Sequence, residues 1–259
     1  MKSIPFLFLL ISMPLFSQEN LEVTFTKNIS LKAETLIGID NFETIYYINK
    51  GTFFKKSNKN TIDYSNIQLG SISSANVFNP LKINLFYKDF NTIIILDNRL
   101  AEIYRIDFNT KQPYKNVSHI TTGFDTTLWL FNSEFQVLEL YDYKTDKVRA
   151  TTMPVDSNVL DLKSNYNYCW LLTEQYLYTY NYFGSLISKI KNRGYSSIQQ
   201  DDGNLVIKGN EQLYYLKKNE EQVREISIPK LLINQFLLTN ETLYIYNNET
   251  LQQFQLKIN

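Results

Sequence analysis

The sequence is poor in the residue types that most often carry out chemistry. Its 259 residues include one histidine, His119, and one cysteine, Cys169. A single cysteine excludes an intrachain disulfide, so packing alone must hold the fold. A single histidine excludes a metal site built from several histidines and leaves one side chain for a Ser–His–acid triad. We predict no cofactor, and we expect Cys169, beside Trp170, to be a buried apolar residue rather than a nucleophile.

An excess of charge of one sign is also missing, because 26 Lys and Arg residues balance 26 Asp and Glu residues. This balance gives no reason to expect a nucleic acid or an anionic membrane as partner. Glycine and proline are scarce, whereas the chain has 19 tyrosines and 17 phenylalanines. Such a number of rings predicts aromatic packing between structural units and some outward-facing rings, which suit a protein interface.

Residues 1–17 have the pattern of a secretory signal peptide. Lys2 precedes the apolar stretch Ile4–Phe16, and Ser17 is a small residue before a plausible cleavage site. The alternative is a membrane anchor, but the stretch is shorter than the roughly 20 residues that span a bilayer. There is no cysteine near the cleavage site, so we do not expect a bacterial lipoprotein. We therefore expect a single domain over residues 18–259 in the periplasm, peripheral to the outer membrane and not inserted into it.

A repeated hairpin organises the rest of the chain. Its clearest copy is Thr92–Phe108, TIIILDNRLAEIYRIDF, which reads as an apolar strand, a polar turn and a second strand. Similar hairpins recur at intervals of 48, 35, 41, 36 and 38 residues. The equivalent positions are Tyr46, Ile94, Trp129, Trp170, Val206 and Tyr244. A period of roughly 40 residues with four strands per repeat is typical of β-propeller blades.

The sequence therefore predicts an all-β fold, a six-bladed β-propeller with four-stranded blades. A regular meander in a sandwich is the alternative, but it does not explain why similar hairpins return only at every fourth strand. The segment Leu21–Ala33 alternates like a strand and precedes the first blade, while the last hairpin lacks a fourth strand. We expect this N-terminal strand to join the last blade and close the ring, because closure removes exposed sheet edges.

The longest interval falls on Gly70–Leu81, which we interpret as an apolar loop between the first and second blades. Long loops in compact domains are often functional. A loop that folds back over the core is the alternative. We predict that the region Asn76–Asp89, which overlaps this loop, contacts a partner protein, and the candidate anchors are Phe78, Leu81, Phe86 and Tyr87.

Some polar patterns are candidates for other roles. Asp201-Asp202-Gly203-Asn204 and the pair Asp142 and Asp146 offer oxygens to a hard cation. Asp-Gly is favoured in turns for backbone reasons alone, so we predict no metal site. Asp125-Thr126-Thr127 resembles the short O-glycosylation acceptor motif of bacteroidetes, with a simple turn as the alternative. We place His119 in an outer strand without a catalytic role.

The repeats resemble YVTN, NHL and WD40-type propellers over nearly the whole mature chain, although the Gly-His and Trp-Asp marks of WD40 repeats are absent. The stretch FNPLKINLFYKDFN, which begins at Phe78, is together with Ile93–Ile106 similar to segments of exported flavobacterial propellers. The same stretch also resembles the periplasmic plug of the type 9 secretion translocon, which closes the periplasmic mouth of that outer-membrane channel. The resemblance implies a giant outer-membrane barrel as partner and gating as the role, and it carries over no catalytic residues.

These patterns together predict a non-enzymatic periplasmic propeller that binds another envelope protein, an outer-membrane barrel or a translocon subunit. Two alternatives remain. A glycan-binding or carbohydrate-active propeller predicts outward aromatic rings, with carboxylates that converge on the central channel. An oxidoreductase propeller that uses quinone or a metal is opposed by the near absence of histidine and by the lack of a tryptophan repeat.

Overall fold

A computed structural model describes residues 21–257, and its regular structure is almost entirely β. The predicted signal peptide at 1–17 lies outside the described residues. The first two sheets contain β2 (Thr35–Ile39), β3 (Ile45–Asn49), β4 (Thr52–Lys56) and β5 (Thr61–Tyr64), then β6 (Ser74–Asn76), β7 (Ile83–Tyr87), β8 (Thr92–Leu96) and β9 (Glu102–Asp107). The next two contain β10 (Val117–Thr122), β11 (Thr127–Asn132), β12 (Val137–Asp142) and β13 (Lys147–Thr151), then β14 (Val159–Ser164), β15 (Tyr168–Thr173), β16 (Tyr176–Asn181) and β17 (Leu186–Lys191).

The remaining strands form one eight-stranded sheet in the order β18-β19-β20-β21-β1-β24-β23-β22. Its members are β1 (Leu21–Ser30), β18 (Tyr195–Asp201), β19 (Asn204–Gly209), β20 (Gln212–Leu216), β21 (Val223–Ser227), β22 (Gln235–Thr239), β23 (Thr242–Tyr246) and β24 (Thr250–Leu256). Three short 3₁₀ helices, Ile67–Leu69, Lys88–Phe90 and Phe108–Thr110, lie in the connections. In the described part of the chain, no helix has the length and apolarity that crossing a membrane requires.

The N-terminal strand β1 joins both halves of the eight-stranded sheet. It pairs antiparallel with β24 from Val23 to Ser30, so it completes the last hairpin as predicted. It also pairs in parallel with β21, through Leu21 with Ile226 and Glu22 with Ser227. The prediction of six separate four-stranded sheets is therefore wrong. Four four-stranded sheets are separate, and this short parallel pairing merges the other eight strands into a single sheet.

The first strand of each four-strand unit lies at the centre of the molecule. The central strands β2, β6, β10, β14, β18 and β22 contact one another in chain order, and β22 contacts β2 again. Apolar clusters fill the spaces between neighbouring units, as between β4, β7 and β8, where Phe53, Leu85 and Ile94 are buried. Inner strands such as β8 are therefore buried on both faces, which explains their continuous β-branched and apolar sequence. This arrangement of sheets around an axis is a β-propeller.

The second sheet differs from its predicted alignment by one strand. The hairpin Thr92–Phe108 supplies the third and fourth strands, whereas the other hairpins supply the second and third. The second strands begin at Ile45, Ile83, Thr127, Tyr168, Asn204 and Thr242, which makes the repeat more even than predicted. The central strand β6, Ser74–Asn76, lies inside the predicted loop at 70–81, because a three-residue polar strand has no strand pattern in the sequence.

Candidate functional site at the channel mouth

The carboxyl ends of the central strands meet at one end of the central channel. Residues that end β2, β6, β14, β18 and β22 line a single cavity there, together with the turns that follow these strands. We call the surface made by these turns the mouth face. It consists of residues 40–44, 77–82, 123–126, 165–167, 202–203 and 240–241, together with Asp201, which ends β18. These residues carry six carboxylates and one lysine, Lys82, so the mouth face is acidic although the whole chain is neutral.

Local turn chemistry holds this surface in place. Asp202 and Gly203 connect β18 and β19 with φ values of 48° and 88°, and Asn240 and Glu241 connect β22 and β23 with 48° and 56°. Positive φ at both positions defines a two-residue hairpin turn that matches the strand twist. Asp40 shapes the first turn, since its Oδ1 accepts the backbone N–H groups of Phe42 and Thr44, each at 2.9 Å.

Aromatic rings occupy corresponding turns in four consecutive units of the propeller. The rings belong to Phe42, Phe78, Phe124 and Tyr166, and all four are exposed. The centroids of Phe78 and Tyr166 lie 5.0 Å apart at 77°, and those of Phe124 and Tyr166 lie 6.3 Å apart at 88°. Edge-to-face contacts of this kind hold rings in defined positions. Turns from the second, third and fourth sheets therefore form one exposed aromatic cluster.

The cavity beside this cluster has a volume of about 350 Å³. Gly38 and Val77 lie on its wall, and a Cβ on Gly38 would lie 2.5 Å from the Val77 Cγ2. Glycine at this position therefore allows the central strands to approach closely. On one side, Asn76 donates to the Thr121 Oγ1 at 3.0 Å and accepts from the Thr122 Oγ1 at 2.8 Å.

The opposite side of the cavity carries acceptors that are less well satisfied. Gln200 lines the cavity, and its Oε1 is buried without a hydrogen-bond partner in residues 21–257. Burial raises the pKa of the neighbouring Asp201 carboxyl above its ordinary value, even though the backbone N–H groups of Glu241 and Asn240 donate to it and lower the pKa. The like charges of Asp202 and Glu241 raise it further. This side thus carries a carboxyl that is partly removed from water and a buried amide oxygen without a partner in the described structure.

The predicted anchors separate into two groups. Phe78 and Leu81 lie exposed on the mouth face, and Phe78 belongs to the aromatic cluster. Phe86 and Tyr87 are only 1% and 0% exposed, so their prediction as docking anchors is wrong. They lie on β7, the second strand of its sheet, whose two faces pack against neighbouring sheets. Sequence reasoning missed Phe42, Phe124 and Tyr166, although an alignment of the turns that precede each hairpin carries the signal.

The candidate catalytic residues do not form a catalytic group. His119 lies on β10, a central strand, so its placement in an outer strand is corrected. Its Nδ1 lies 2.9 Å from the Ser118 Oγ, and burial lowers the pKa of the imidazole. Asp161 is the acid whose charge acts on His119, but its two carboxyl oxygens accept the backbone N–H groups of Leu162 and Ile198, at 2.8 and 2.9 Å. Cys169 is fully buried, and burial raises the pKa of its thiol, which disfavours the nucleophilic thiolate.

The remaining polar candidates have structural partners. Asp142 accepts from the Arg149 guanidinium, and Asp146 accepts from the Lys111 Nζ at 2.8 Å. Within residues 21–257, no three His, Cys, Asp or Glu side chains are grouped as metal ligands. In the O-glycosylation motif, Thr126 is buried and donates to the Asp142 Oδ1 at 3.0 Å. Its hydroxyl is therefore inaccessible to a glycosyltransferase in the folded protein.

Comparisons with known proteins place the chain among β-propellers by fold. No protein-family model and no curated protein matches the sequence. A catalytically inactive virginiamycin B lyase from Staphylococcus aureus, solved with quinupristin, has a TM-score of 0.62 and 13% identity over 88% of this chain and 83% of that one. A streptogramin B lyase structure has a TM-score of 0.60 and 12% identity over 92% of this chain and 98% of that one. At such identities, the likeness concerns the fold.

Proposed function

We propose that this protein is a non-enzymatic binding propeller that docks on an outer-membrane protein machine through its mouth face. The observation that carries the proposal is the aromatic ring at corresponding turns of four consecutive units, Phe42, Phe78, Phe124 and Tyr166. Exposed aromatic residues clustered on a rigid surface are typical of protein-interface hot spots. Because a propeller face is preformed, association orders few new groups.

The charge of the mouth face indicates the chemistry of the partner. Blades two to four contribute the aromatic cluster, whereas the end of β18 and the turns at 202–203 and 240–241 contribute Asp201, Asp202 and Glu241. A complementary partner surface has apolar side chains that cover the rings and basic side chains that face the carboxylates. We propose an outer-membrane barrel as this partner, with the type 9 secretion translocon as the candidate machine. The sequence resemblance of the stretch from Phe78 to Ile106 supports this choice.

The proposal also includes the blade count and the location. We propose that the eight-stranded sheet acts as two blades, β18–β21 and β22–β24 with β1, which gives six units around the axis. The contacts among six central strands support this count. We further propose that the chain is exported and that the segment 1–17 is removed. Mass spectrometry of the protein from a periplasmic fraction tests the export, and the expected N-terminus is Gln18. An intact Met1 on the recovered protein would contradict it.

Affinity isolation from detergent-solubilised membranes tests the docking role. We expect the wild-type protein to recover an outer-membrane barrel protein in stoichiometric amount. Phe78→Asp combined with Phe124→Asp should lower the partner affinity by about a hundredfold or more, because two desolvated aromatic anchors are replaced by charge. The matched control is Phe135→Asp, because Phe124 and Phe135 are each 59% exposed and lie at opposite ends of β11.

The control should recover the partner as the wild type does. Equal recovery by the wild type and the double variant would remove the mouth face as the docking surface. Thermal unfolding of the purified variants checks their folding, since the substituted rings lie at the surface.

Glycan binding is a second candidate, favoured by one specific arrangement. Exposed rings and the Asp201 carboxyl surround the same cavity, and sugars bind to such combinations of aromatic faces and polar acceptors. Thermal stabilisation by a panel of envelope glycans, together with recovery of the protein alone from membranes, would support this function over protein docking. Loss of the stabilisation in Asp201→Asn would place the sugar in the cavity.

A further inference from the structure

The cavity at the mouth has acceptors on one side and aromatic rings on the other. The Asp201 carboxyl, at the end of β18, lies on one wall and is partly buried. None of the ion pairs among residues 21–257 includes Asp201. Partial burial of a carboxylate without a cationic partner costs free energy in the unbound protein. A cation supplied from outside would reduce this cost.

Lys163 also lines the cavity, but its charge has a partner elsewhere. Its Nζ lies 3.4 Å from the Asp161 Oδ1, on the same central strand. Lys82, the lysine of the mouth turns, donates to the backbone oxygen of Asp125 at 2.8 Å and lies 3.6 Å from its carboxylate. Neither of these ammonium groups forms a hydrogen bond or an ion pair with Asp201 in the described structure.

We propose that the mouth cavity receives one arginine side chain of the docked protein, with the Asp201 carboxylate as its acceptor. The inference rests on the proposed docking function and names the chemistry of the inserted group. A guanidinium carries five N–H donors in a planar arrangement and is the cation that pairs best with a carboxylate. Its plane also stacks on aromatic faces, and Phe78 lines the same cavity. The cavity of about 350 Å³ is open to the partner's side and is large enough for one such side chain.

Two synthetic peptides test this inference without knowledge of the partner. Each is a short amidated leucine peptide, with arginine in the centre of one and citrulline in the centre of the other. Citrulline keeps the size and planarity of arginine but lacks its charge. We expect the arginine peptide to bind the full mature chain about tenfold more tightly, in the range of a charge-assisted hydrogen bond.

Two neighbouring carboxylates provide the matched variants. Asp201→Asn should bring the affinity ratio of the two peptides close to one. Asp202→Asn removes the same charge from the exposed neighbouring position and tolerates its φ of 48°, so the ratio should persist. Equal binding of both peptides to the wild type, binding of neither, or a ratio that survives Asp201→Asn would overturn the inference.

The same experiment separates this inference from the docking function. If the membrane partner is recovered by the wild type and lost in the Phe78→Asp, Phe124→Asp variant, docking stands whatever the peptides show. An absent arginine preference in that case rejects the arginine alone. If the partner is recovered equally by both proteins, docking through the mouth face fails.

Discussion

The third sheet and the mouth face handle buried charge in opposite ways. In the third sheet, the Lys115 Nζ lies 2.5 Å from the Glu139 Oε2, and the Asn132 Nδ2 donates to the Glu139 Oε1 at 3.1 Å. Asp142 is fully buried, and it accepts from Arg149 and Thr126. At the mouth, Gln200 Oε1 has no partner, and Asp201 has a carboxyl pKa raised by burial.

This difference teaches which polar groups serve the fold and which are available to a ligand. The chain is able to pair buried charges completely, as the third sheet demonstrates. What distinguishes the mouth is therefore the Asp201 carboxyl, which is partly buried and takes part in none of the ion pairs among residues 21–257. Natural proteins depart from local consistency mainly at functional sites, where the compensation comes from the bound partner. Substitutions in the two regions should accordingly have effects of opposite sign on stability.

The largest effect on stability is expected for Glu139→Gln. This change removes one member of a buried ion pair and leaves the Lys115 ammonium with a neutral partner. We expect the free energy of unfolding to fall by about 3 kcal/mol, because an uncompensated buried charge is strongly destabilising. Urea unfolding at neutral pH measures the change. A loss below that of a typical surface substitution would contradict the assigned role of the pair.

Asp142→Asn should have a smaller effect with a characteristic pH dependence. Burial alone would raise the pKa of the Asp142 carboxyl, but hydrogen bonds from Arg149, Thr145, Lys144 and Thr126 outweigh burial and lower it. A lowered pKa stabilises the fold above the unfolded-state pKa of about 3.9, and this contribution is lost as the pH falls toward the folded-state pKa.

We therefore expect Asp142→Asn to lose about 2 kcal/mol at neutral pH, because Arg149 loses its buried partner. The difference between variant and wild type should shrink below about pH 4, as the wild-type carboxyl takes up its proton. Unfolding by urea across a pH series measures both quantities. If the difference in the free energy of unfolding stays constant with pH, Asp142 does not stabilise the fold through its charge.

Asp201→Asn should have the smallest effect, with the opposite sign. Folding raises the pKa of the Asp201 carboxyl, because the folded protein buries it. The protonated carboxyl therefore contributes most to stability below the unfolded-state pKa, and this contribution is lost as the pH rises through the folded-state pKa. At neutral pH, the charged carboxylate costs stability, and Asn retains an oxygen that accepts from the backbone. We expect the variant to be equal to the wild type or more stable by up to about 1 kcal/mol. A clear loss of stability would mark Asp201 as a structural residue like Asp142.

The fold could be largely predicted because each unit repeats a strong local pattern. The hairpins at Trp129, Trp170, Val206 and Tyr244 keep their turns and apolar strands in the sequence, and β1 shows the alternation of an outer strand. The second sheet was misaligned because its third strand, Thr92–Leu96, is the most apolar in the chain and its first strand is short and polar. The merged sheet could not be predicted, since it depends on two residue pairs between distant strands.

The site was less predictable than the fold for two physical reasons. Aromatic residues in this sequence occur both in the core and on the surface. Phe78 lies exposed in a turn, whereas Phe86 lies on a buried strand, and their residue type does not distinguish them. Strand β7 is buried on both faces, so its sequence lacks the alternation of apolar and polar residues that would show which side chains face solvent. The contacts among Phe78, Phe124 and Tyr166 join three different turns, and no local pattern in the sequence encodes them.

Hydroxyl-radical footprinting of the isolated membrane complex tests the central claim most directly. Phe42, Phe78, Phe124 and Tyr166 should be protected from oxidation in the complex relative to the free protein, whereas Phe135 and Met153, which are exposed in turns at the other end of the strands, should stay equally reactive. Protection of Phe135 and Met153, with the four mouth aromatic residues unchanged, would contradict docking through the mouth face.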